Sequence, residues 1–100
     1  MTITYISLDP DSDGYDAIFI DNKLFMHGDE YHERISAKMD GIIEYLEFTK
    51  VDFAQERFDL FPADEVSIFD EDYMPKAKDT PEKYMKRMSK FLHSITSSKD

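Results

Sequence analysis

Residues 28–50, GDEYHERISAKMDGIIEYLEFTK, decide the fold. Their apolar side chains recur at steps of three and four residues, which places them on one face of a helix. The members of this face are Tyr31, Ile35, Met39, Ile42, Ile43 and Leu46. The residues between them are mostly charged, and most of those charges are acidic. The pattern therefore predicts one amphipathic helix over residues 28–50, with an apolar face on a core and an acidic face in water.

The chain before this helix predicts three short strands joined by turns. Apolar and polar side chains alternate over residues 2–8 and 15–21, and a further short strand covers residues 24–26. Residues 9–14, DPDSDG, combine the residue types that favour turns, and residues 22–23 suit a tight hairpin. Consecutive strands joined in this way predict an antiparallel β-meander.

A junction and a fourth strand follow from the same kind of pattern. Gly28, Asp29 and Glu30 are expected to end the third strand and to cap the long helix, where acids complement the positive end of the helix dipole. After the helix, residues 51–60 predict one more strand. Their apolar side chains change parity, which predicts a bulge near Gln55.

The last quarter of the chain predicts a loop and a second helix. Residues 61–75 mix acids with apolar side chains and suit an ordered loop or a short edge strand. Thr80, Pro81 and Glu82 then supply a capping hydroxyl, a first-turn proline and a first-turn acid in their favoured order. The apolar residues at helical spacing after them are Tyr84, Met88, Phe91, Leu92 and Ile95.

Length and composition bound the architecture. One hundred residues, 41% of them hydrophobic, suit a single domain over residues 1–100. We therefore expect an α+β fold, in which an antiparallel three- to four-stranded β-meander sheet is covered by two amphipathic helices in the order βββα-β-α. The chain has no cysteine, secretory pattern or long apolar run, so we expect a cytoplasmic protein without a membrane partner.

The distribution of charge is the most informative feature. Residues 1–75 hold 19 acidic against 5 basic residues, whereas residues 76–100 hold 3 acidic against 7 basic ones. The net charges of these two parts are −14 and +4, within a total of −10. Acidity of this size either keeps a protein soluble or forms a field for a basic partner. The basic C-terminal part could pack on the acidic part of the same molecule or of a second copy, which leaves homodimerisation open.

Motifs for metals and catalysis are weak. Asp9, Asp11, Asp13 and Gly14 match the start of a calcium loop, but Ile20 stands where a bidentate glutamate is required, and a plain acidic turn is the alternative. The histidines in residues 27–32 lack zinc-site spacing, and no phosphate loop or nucleophile motif is present. We therefore expect neither an enzyme nor a bound cofactor. A small metal-dependent enzyme would need the histidine and aspartate clusters to converge.

The chain resembles the small, cysteine-free, acidic proteins that bacteriophages encode for host takeover and anti-defence, many of which mimic DNA. The resemblance rests on the meander of residues 3–26, its GYDAIF segment at 14–19, the helix after residues 28–30 and the acidic run at 64–72. It implies a stoichiometric inhibitor that occupies the basic DNA-binding surface of a host protein in the cytoplasm or nucleoid. The implied targets are a nucleoid-associated protein of the HU kind, RNA polymerase, or a restriction or CRISPR nuclease. The basic C-terminal helix departs from this type.

Two functional hypotheses follow. The first is a non-enzymatic inhibitor that binds a basic DNA-binding protein, but not nucleic acid itself, through carboxylates. The partner-binding residues predicted for it are Asp29, Glu30, Glu33, Asp40, Glu44, Glu47, Asp64, Glu65, Asp70, Glu71 and Asp72. The alternative is a small structural or interaction module that is acidic only for solubility. Its contacts would be apolar, through Tyr84, Met85 and Met88.

Overall fold

A computed structural model describes residues 1–11, 14–63 and 73–99. The elements in chain order are β1 (Thr2–Leu8), β2 (Tyr15–Ile20), β3 (Lys23–Asp29), α1 (Ile35–Phe48), β4 (Ala54–Pro62), α2 (Pro81–Met88) and β5 (Leu92–Lys99). A single 3-10 turn, Ser89–Phe91, joins α2 to β5.

The strands form one mixed sheet of five strands in the order β3-β2-β1-β4-β5. β1 and β4 are parallel, and the other three neighbouring pairs are antiparallel. The predicted antiparallel sheet of three to four strands in the order βββα-β-α is therefore wrong. The parallel pair arises because α1 carries the chain across the meander, so that β4 joins the free side of β1 in the same direction, as helical crossovers do.

The fifth strand is the second correction to the fold. The predicted C-terminal helix continues to Ile95, but α2 ends at Met88 and β5 begins at Leu92. The segment after Leu92 is rich in serine, with Ile95 and Thr96 both β-branched, and these residue types favour a strand over a helix when a sheet edge is available. Ile95 lies opposite Leu60 of β4.

The start of α1 also differs from the prediction. β3 continues to Asp29, and α1 begins at Ile35 rather than at residue 28. Its N-cap, Arg34, has left-handed backbone angles and makes no side-chain cap. The capping group is Glu30, whose carboxylate accepts hydrogen bonds from the backbone N–H and the hydroxyl of Ser36. Tyr31 precedes the helix and is exposed, so it is not part of the apolar face.

Other local predictions are confirmed, with small shifts in position. β1 has the predicted bounds, and the Thr80 hydroxyl caps α2 by accepting a hydrogen bond from the Lys83 N–H at 3.2 Å. The hairpin turn lies one residue earlier than predicted, at Asp21 and Asn22, where both φ angles are positive, as a tight hairpin turn requires.

The predicted bulge in the fourth strand is misplaced. The β1–β4 register is unbroken from Ala54 to Leu60. The irregularity lies between Phe61 and Pro62, where β4 meets β5. Proline has no N–H to donate to a strand ladder, which accounts for a break at this position.

The two helices pack on opposite faces of the sheet. On one face α1 contributes Ile35, Met39 and Leu46 to a cluster with Ile3 and Ile18 of the sheet. On the other face, α2 contributes side chains to a second cluster with the alternate residues of β1, β2 and β4. Its buried members are Ile6, Leu8, Tyr15, Ala17, Phe19, Leu60, Tyr73, Tyr84 and Met88. β1 is thus buried on both faces, as the central strand of a layered α/β arrangement should be.

Gly14 is held against the backbone at the end of β1. A Cβ at this position would lie 2.1 Å from the Leu8 carbonyl oxygen and 2.5 Å from that of Asp9. We therefore expect Gly14→Ala to destabilise the fold by about 1–3 kcal/mol. Gly41 is the matched control: a Cβ there meets nothing within 4 Å, so Gly41→Ala should stabilise α1 by about 0.5–1 kcal/mol. Urea unfolding of both variants measures this, and a shift of the same sign in both would contradict it.

Candidate functional site

Three of the predicted carboxylates form one stripe along α1. Asp40, Glu44 and Glu47 are exposed and lie at positions i, i+4 and i+7, which share a face of a helix. The face is turned away from the side of α1 that enters the core. None of the three forms an ion pair with another described residue. We name these three residues the acidic stripe.

The acidic stripe works against the stability of its own helix. Glu44 and Glu47 lie toward the C-terminus of α1, where the helix dipole favours basic side chains, and the last turn contains none. Asp40 and Glu44 are like charges one turn apart, which is also unfavourable. Hydrogen bonds and ion pairs among the described residues therefore give no reason for these three carboxylates in α1.

Large apolar side chains are exposed toward the C-terminal end of α1. Tyr45 and Phe48 of α1 are 66% and 84% exposed, and Val51, just after the helix, is also exposed. Aromatic residues are enriched at the centres of protein interfaces, where they supply most of the binding energy. The end of α1 thus combines negative charge with aromatic area, as a surface for another protein would.

The other predicted carboxylates near α1 lie apart from the stripe. Asp29 accepts hydrogen bonds from the backbone N–H and ring of His32, and the backbone bond holds the pKa of Asp29 below its usual range. Glu30 caps the start of α1. Glu33 is half-exposed and lies 3.5 Å from the Lys38 ammonium. These three carboxylates are at the N-terminal end of α1 and are engaged within the chain.

The second predicted patch consists of Asp64, Glu65, Asp70, Glu71 and Asp72. These residues lie outside the described parts of the chain, as do Ser12 and Asp13 of the acidic turn. The acidic stripe is therefore the exposed part of the predicted binding surface that the structure describes.

A polar cleft beside α1 was not predicted from the sequence. Two adjoining cavities of about 210 and 190 Å³ share Tyr5, Ser36 and Arg57 in their linings. Asp40 of the acidic stripe borders the larger cavity, and Asp16 lines the smaller one. The cleft exists because α1 packs over β2 and β3 and leaves this face of β4 uncovered.

Asp16 is the most unusual residue of the cleft, because it is a carboxyl group only 4% exposed. It accepts hydrogen bonds from the Tyr5 hydroxyl and, at 2.7 Å, from the Ser7 hydroxyl, and it also bonds to Glu30. Burial, followed by the bond to Glu30, raises the pKa of Asp16 to about 6. Burial acts in the same direction on Glu30, but hydrogen bonds from Asp16 and Ser36 outweigh it and lower the pKa of Glu30.

Below about pH 6, these directions place the shared proton on Asp16 and the charge on Glu30. Buried carboxyl groups are costly unless they are neutral or well bonded, and this pair satisfies both conditions. The Arg57 guanidinium lies over the Tyr5 ring, 5.1 Å from its centroid, and donates to Asp59 at 2.9 Å. The cleft is thus lined by hydroxyl, carboxyl and guanidinium groups that are bonded to one another or to Asp59.

One signal in the sequence marks Asp16. It alternates with Ile18 and Ile20 in β2, so an acid stands on a face that is otherwise apolar. Real proteins break the pattern of their own strands at few positions, and such positions are often functional.

No known protein family, curated protein or solved structure matches this chain. We therefore infer a function from the surface and the cleft described above.

The histidines do not converge. The His27 ring bonds to the Tyr15 hydroxyl, the His32 ring lies 3.0 Å from Asp29, and His93 lies on β5 rather than on a helix. Among residues 1–11, 14–63 and 73–99, no group of three or more histidine or acidic side chains could hold a metal ion. The helices within these residues are all too short and too polar to cross a membrane.

The apolar surface of the alternative hypothesis is largely interior. Tyr84 and Met88 are fully buried in the cluster under α2, and Met85 packs partly against it. The expectation that these side chains form an outward contact surface is wrong for Tyr84 and Met88. Large exposed apolar side chains lie elsewhere in the chain, and two of them, Tyr45 and Phe48, are on α1.

Proposed function

We propose that this protein is a non-enzymatic inhibitor that binds the basic DNA-binding surface of a host protein and excludes DNA from it. The observation that carries the proposal is the acidic stripe: Asp40, Glu44 and Glu47 lie exposed on one face of α1, and Glu44 and Glu47 lie toward its C-terminal end, where the helix dipole disfavours acids. Charges retained against the stability of their own helix are best explained by a partner of opposite charge.

The geometry of the stripe suits a row of basic side chains. Neighbouring positions on a helix face are about 5–6 Å apart, and the stripe extends for about 10 Å along the axis. This spacing is similar to that of neighbouring phosphates along a DNA strand. A cleft that arranges lysine and arginine side chains for DNA can therefore accept the stripe, and Phe48, one turn after Glu44, adds apolar area at its end.

The partners that fit this chemistry are a nucleoid-associated protein of the HU kind, RNA polymerase and a restriction or CRISPR nuclease. The test titrates the chain into complexes of each with fluorescently labelled DNA and follows release by anisotropy. One of them should lose its DNA at stoichiometric inhibitor, less completely as salt rises. If none does, and capture from a bacterial lysate yields no basic protein that DNA displaces, the proposal fails.

Charge reversal on the stripe should abolish this inhibition. We expect Glu44→Lys with Glu47→Lys to weaken binding by a factor of 10 or more, because several interfacial charges change from attraction to repulsion. The same change places bases at the C-terminal end of α1 and should stabilise the helix by about 0.3–1 kcal/mol.

The matched control reverses two exposed acids outside α1, Asp11 and Glu82. It alters the net charge equally, so an equal loss of inhibition in both variants would show that only the overall charge matters. Thermal unfolding of both double variants separates lost binding from lost folding.

A second candidate function is an apolar interaction module, and the exposure of Phe48 favours it. Its complex would persist at high salt, because apolar contacts are not screened. Phe48→Ala would then abolish binding, while Glu44→Lys with Glu47→Lys would leave it nearly unchanged.

A further inference from the structure

β5 forms one edge of the sheet and is exposed on both faces. It pairs with β4 on one side, and no other strand within the described residues pairs with its outer side. The side chains from His93 to Ser98 are all exposed. An edge of this kind presents unpaired backbone N–H and C=O groups that can accept another strand.

The opposite edge is protected along its length, whereas β5 has irregular pairing only before Ser94 and a charged residue only at Lys99. β3 carries a bulge against β2, contains Lys23 and Asp29, and packs against α1. From Ser94 onward the β4–β5 ladder is regular, and the segment to Ser98 has no proline or charged residue. Monomeric proteins normally block such edges with bulges, charges or prolines.

The charges of the chain permit a second copy of β5 to pair there. β5 contains no acidic residue, although the chain carries a net charge of −10. α1 lies over β2 and β3, so several strand spacings of about 4.8 Å separate the acidic stripe from the β5 edge. Two copies joined at β5 would hold their acidic helices about 40 Å apart, well beyond the Debye length of about 8 Å.

We propose that β5 pairs antiparallel with β5 of a second copy of this chain, around a two-fold axis at Ile95. Directly opposed residues of an antiparallel strand pair point to the same face of the sheet. A residue on one face of β5 must therefore lie opposite a residue on the same face of β5 in the second copy. Ile95 opposite its own copy satisfies this rule. Ile95 is 45% exposed and stands beside Leu60, so the contact extends the apolar cluster under α2 across both copies.

The resulting dimer has one continuous sheet and does not depend on the proposed inhibitory function. A single strand pair is a small interface, so the affinity belongs to the weak class and the dimer forms with rising concentration. Sedimentation equilibrium should therefore show the wild-type chain changing from monomer to dimer up to about 1 mM.

Substitutions at the axis provide the decisive test. In a two-fold dimer, Ile95→Lys places two ammonium groups together and Ile95→Glu places two carboxylates together, so each variant alone should be monomeric. A mixture of the two should form a heterodimer, because the opposed charges then attract. Circular dichroism confirms that each variant is folded. The same pair of substitutions at Phe25 on β3 is the control and should leave the wild-type dimer unchanged.

Three outcomes would overturn the proposal. The wild-type chain could remain monomeric throughout the concentration series, or the two Ile95 variants could dimerise as well as the wild type. The third is a mixture of the two Ile95 variants that forms no heterodimer although both are folded.

Discussion

Asp16→Asn is expected to stabilise the fold at pH 8 by about 1–2 kcal/mol and to flatten the dependence of stability on pH. The pKa of Asp16 is raised to about 6 in the folded chain, whereas an unfolded aspartate ionises near its ordinary value of 3.8. A shift of this size corresponds to about 3 kcal/mol at most. Tyr5 and Ser7 donate to different oxygens of Asp16, so asparagine keeps an acceptor for only one of the two hydroxyls. It has no charge to bury, and its NH2 group can donate to a neighbouring oxygen.

The sign of the effect follows from proton binding. Because the folded state holds the Asp16 proton more tightly, its contribution is fully present below about pH 4 and is lost as pH rises through about 6. The pKa of Glu30 is lowered, so its contribution has the opposite sign and is lost on acidification. The net slope between pH 4 and 7 is therefore smaller than Asp16 alone would give.

Urea unfolding at intervals from about pH 4 to 8 measures this prediction. Asp52→Asn, at an exposed aspartate, is the control and should leave the pH profile of the wild type unchanged. If Asp16→Asn retains the wild-type slope, the buried carboxyl pair does not share a proton as described.

Asp79→Ala should destabilise the fold by about 3–5 kcal/mol, because it breaks a largely buried ion pair that holds α2. The Asp79 carboxylate is 7% exposed and accepts from both terminal nitrogens of Arg87, at 2.8 and 2.7 Å. It also accepts the Lys76 N–H at 2.7 Å. Removal of the carboxylate leaves the guanidinium with the Met74 carbonyl at 3.1 Å, and its buried Nε has no hydrogen-bond partner among the described residues.

The pH dependence of this pair is opposite to that of Asp16. The bond to Arg87 holds the pKa of Asp79 below its usual range, so the stabilisation is present above about pH 4 and is lost on further acidification. The control is Asp59→Ala, which breaks a pair in which the Arg57 side chain is half-exposed, and should cost at most about 1 kcal/mol. Chemical unfolding of the two variants compares them directly, and similar losses in both would refute the prediction.

The local features of the fold could be predicted from the sequence where a short segment decides them alone. β1 follows from its alternation, the cap of α2 from Thr80 and Pro81, and the apolar face of α1 from its spacing. The start of α1 could not be predicted, because Glu30 caps it through Ser36 from outside the helix. The acids at residues 28–30 predict a helix cap there, but the residue at which α1 begins depends on where β3 stops pairing with β2.

The features that depend on residues distant in the chain could not be predicted from the sequence. β5 is a strand because the outer side of β4 is free, and Ile95 fits both a helical and an extended pattern. The direction of β4 relative to β1 is set by the path of α1, which no residue of either strand encodes. At the candidate site, the stripe on α1 was predicted, whereas the cleft depends on the meeting of Tyr5, Asp16 and Arg57 from three strands.

The parallel pairing of β1 with β4 has a consequence for folding kinetics. β1 is the first strand in the chain, but its neighbour β4 follows only after the rest of the meander and α1. Thr2 lies opposite Ala54, and Leu8 lies opposite Leu60. The entropy of closing so long a loop must be lost before the β1–β4 contacts are gained. The chain should therefore collapse first into a meander in which β1, the central strand of the complete sheet, is still an edge strand. The barrier to folding should lie at the docking of β4, so substitutions at Leu60 should slow folding more than those at Ile95.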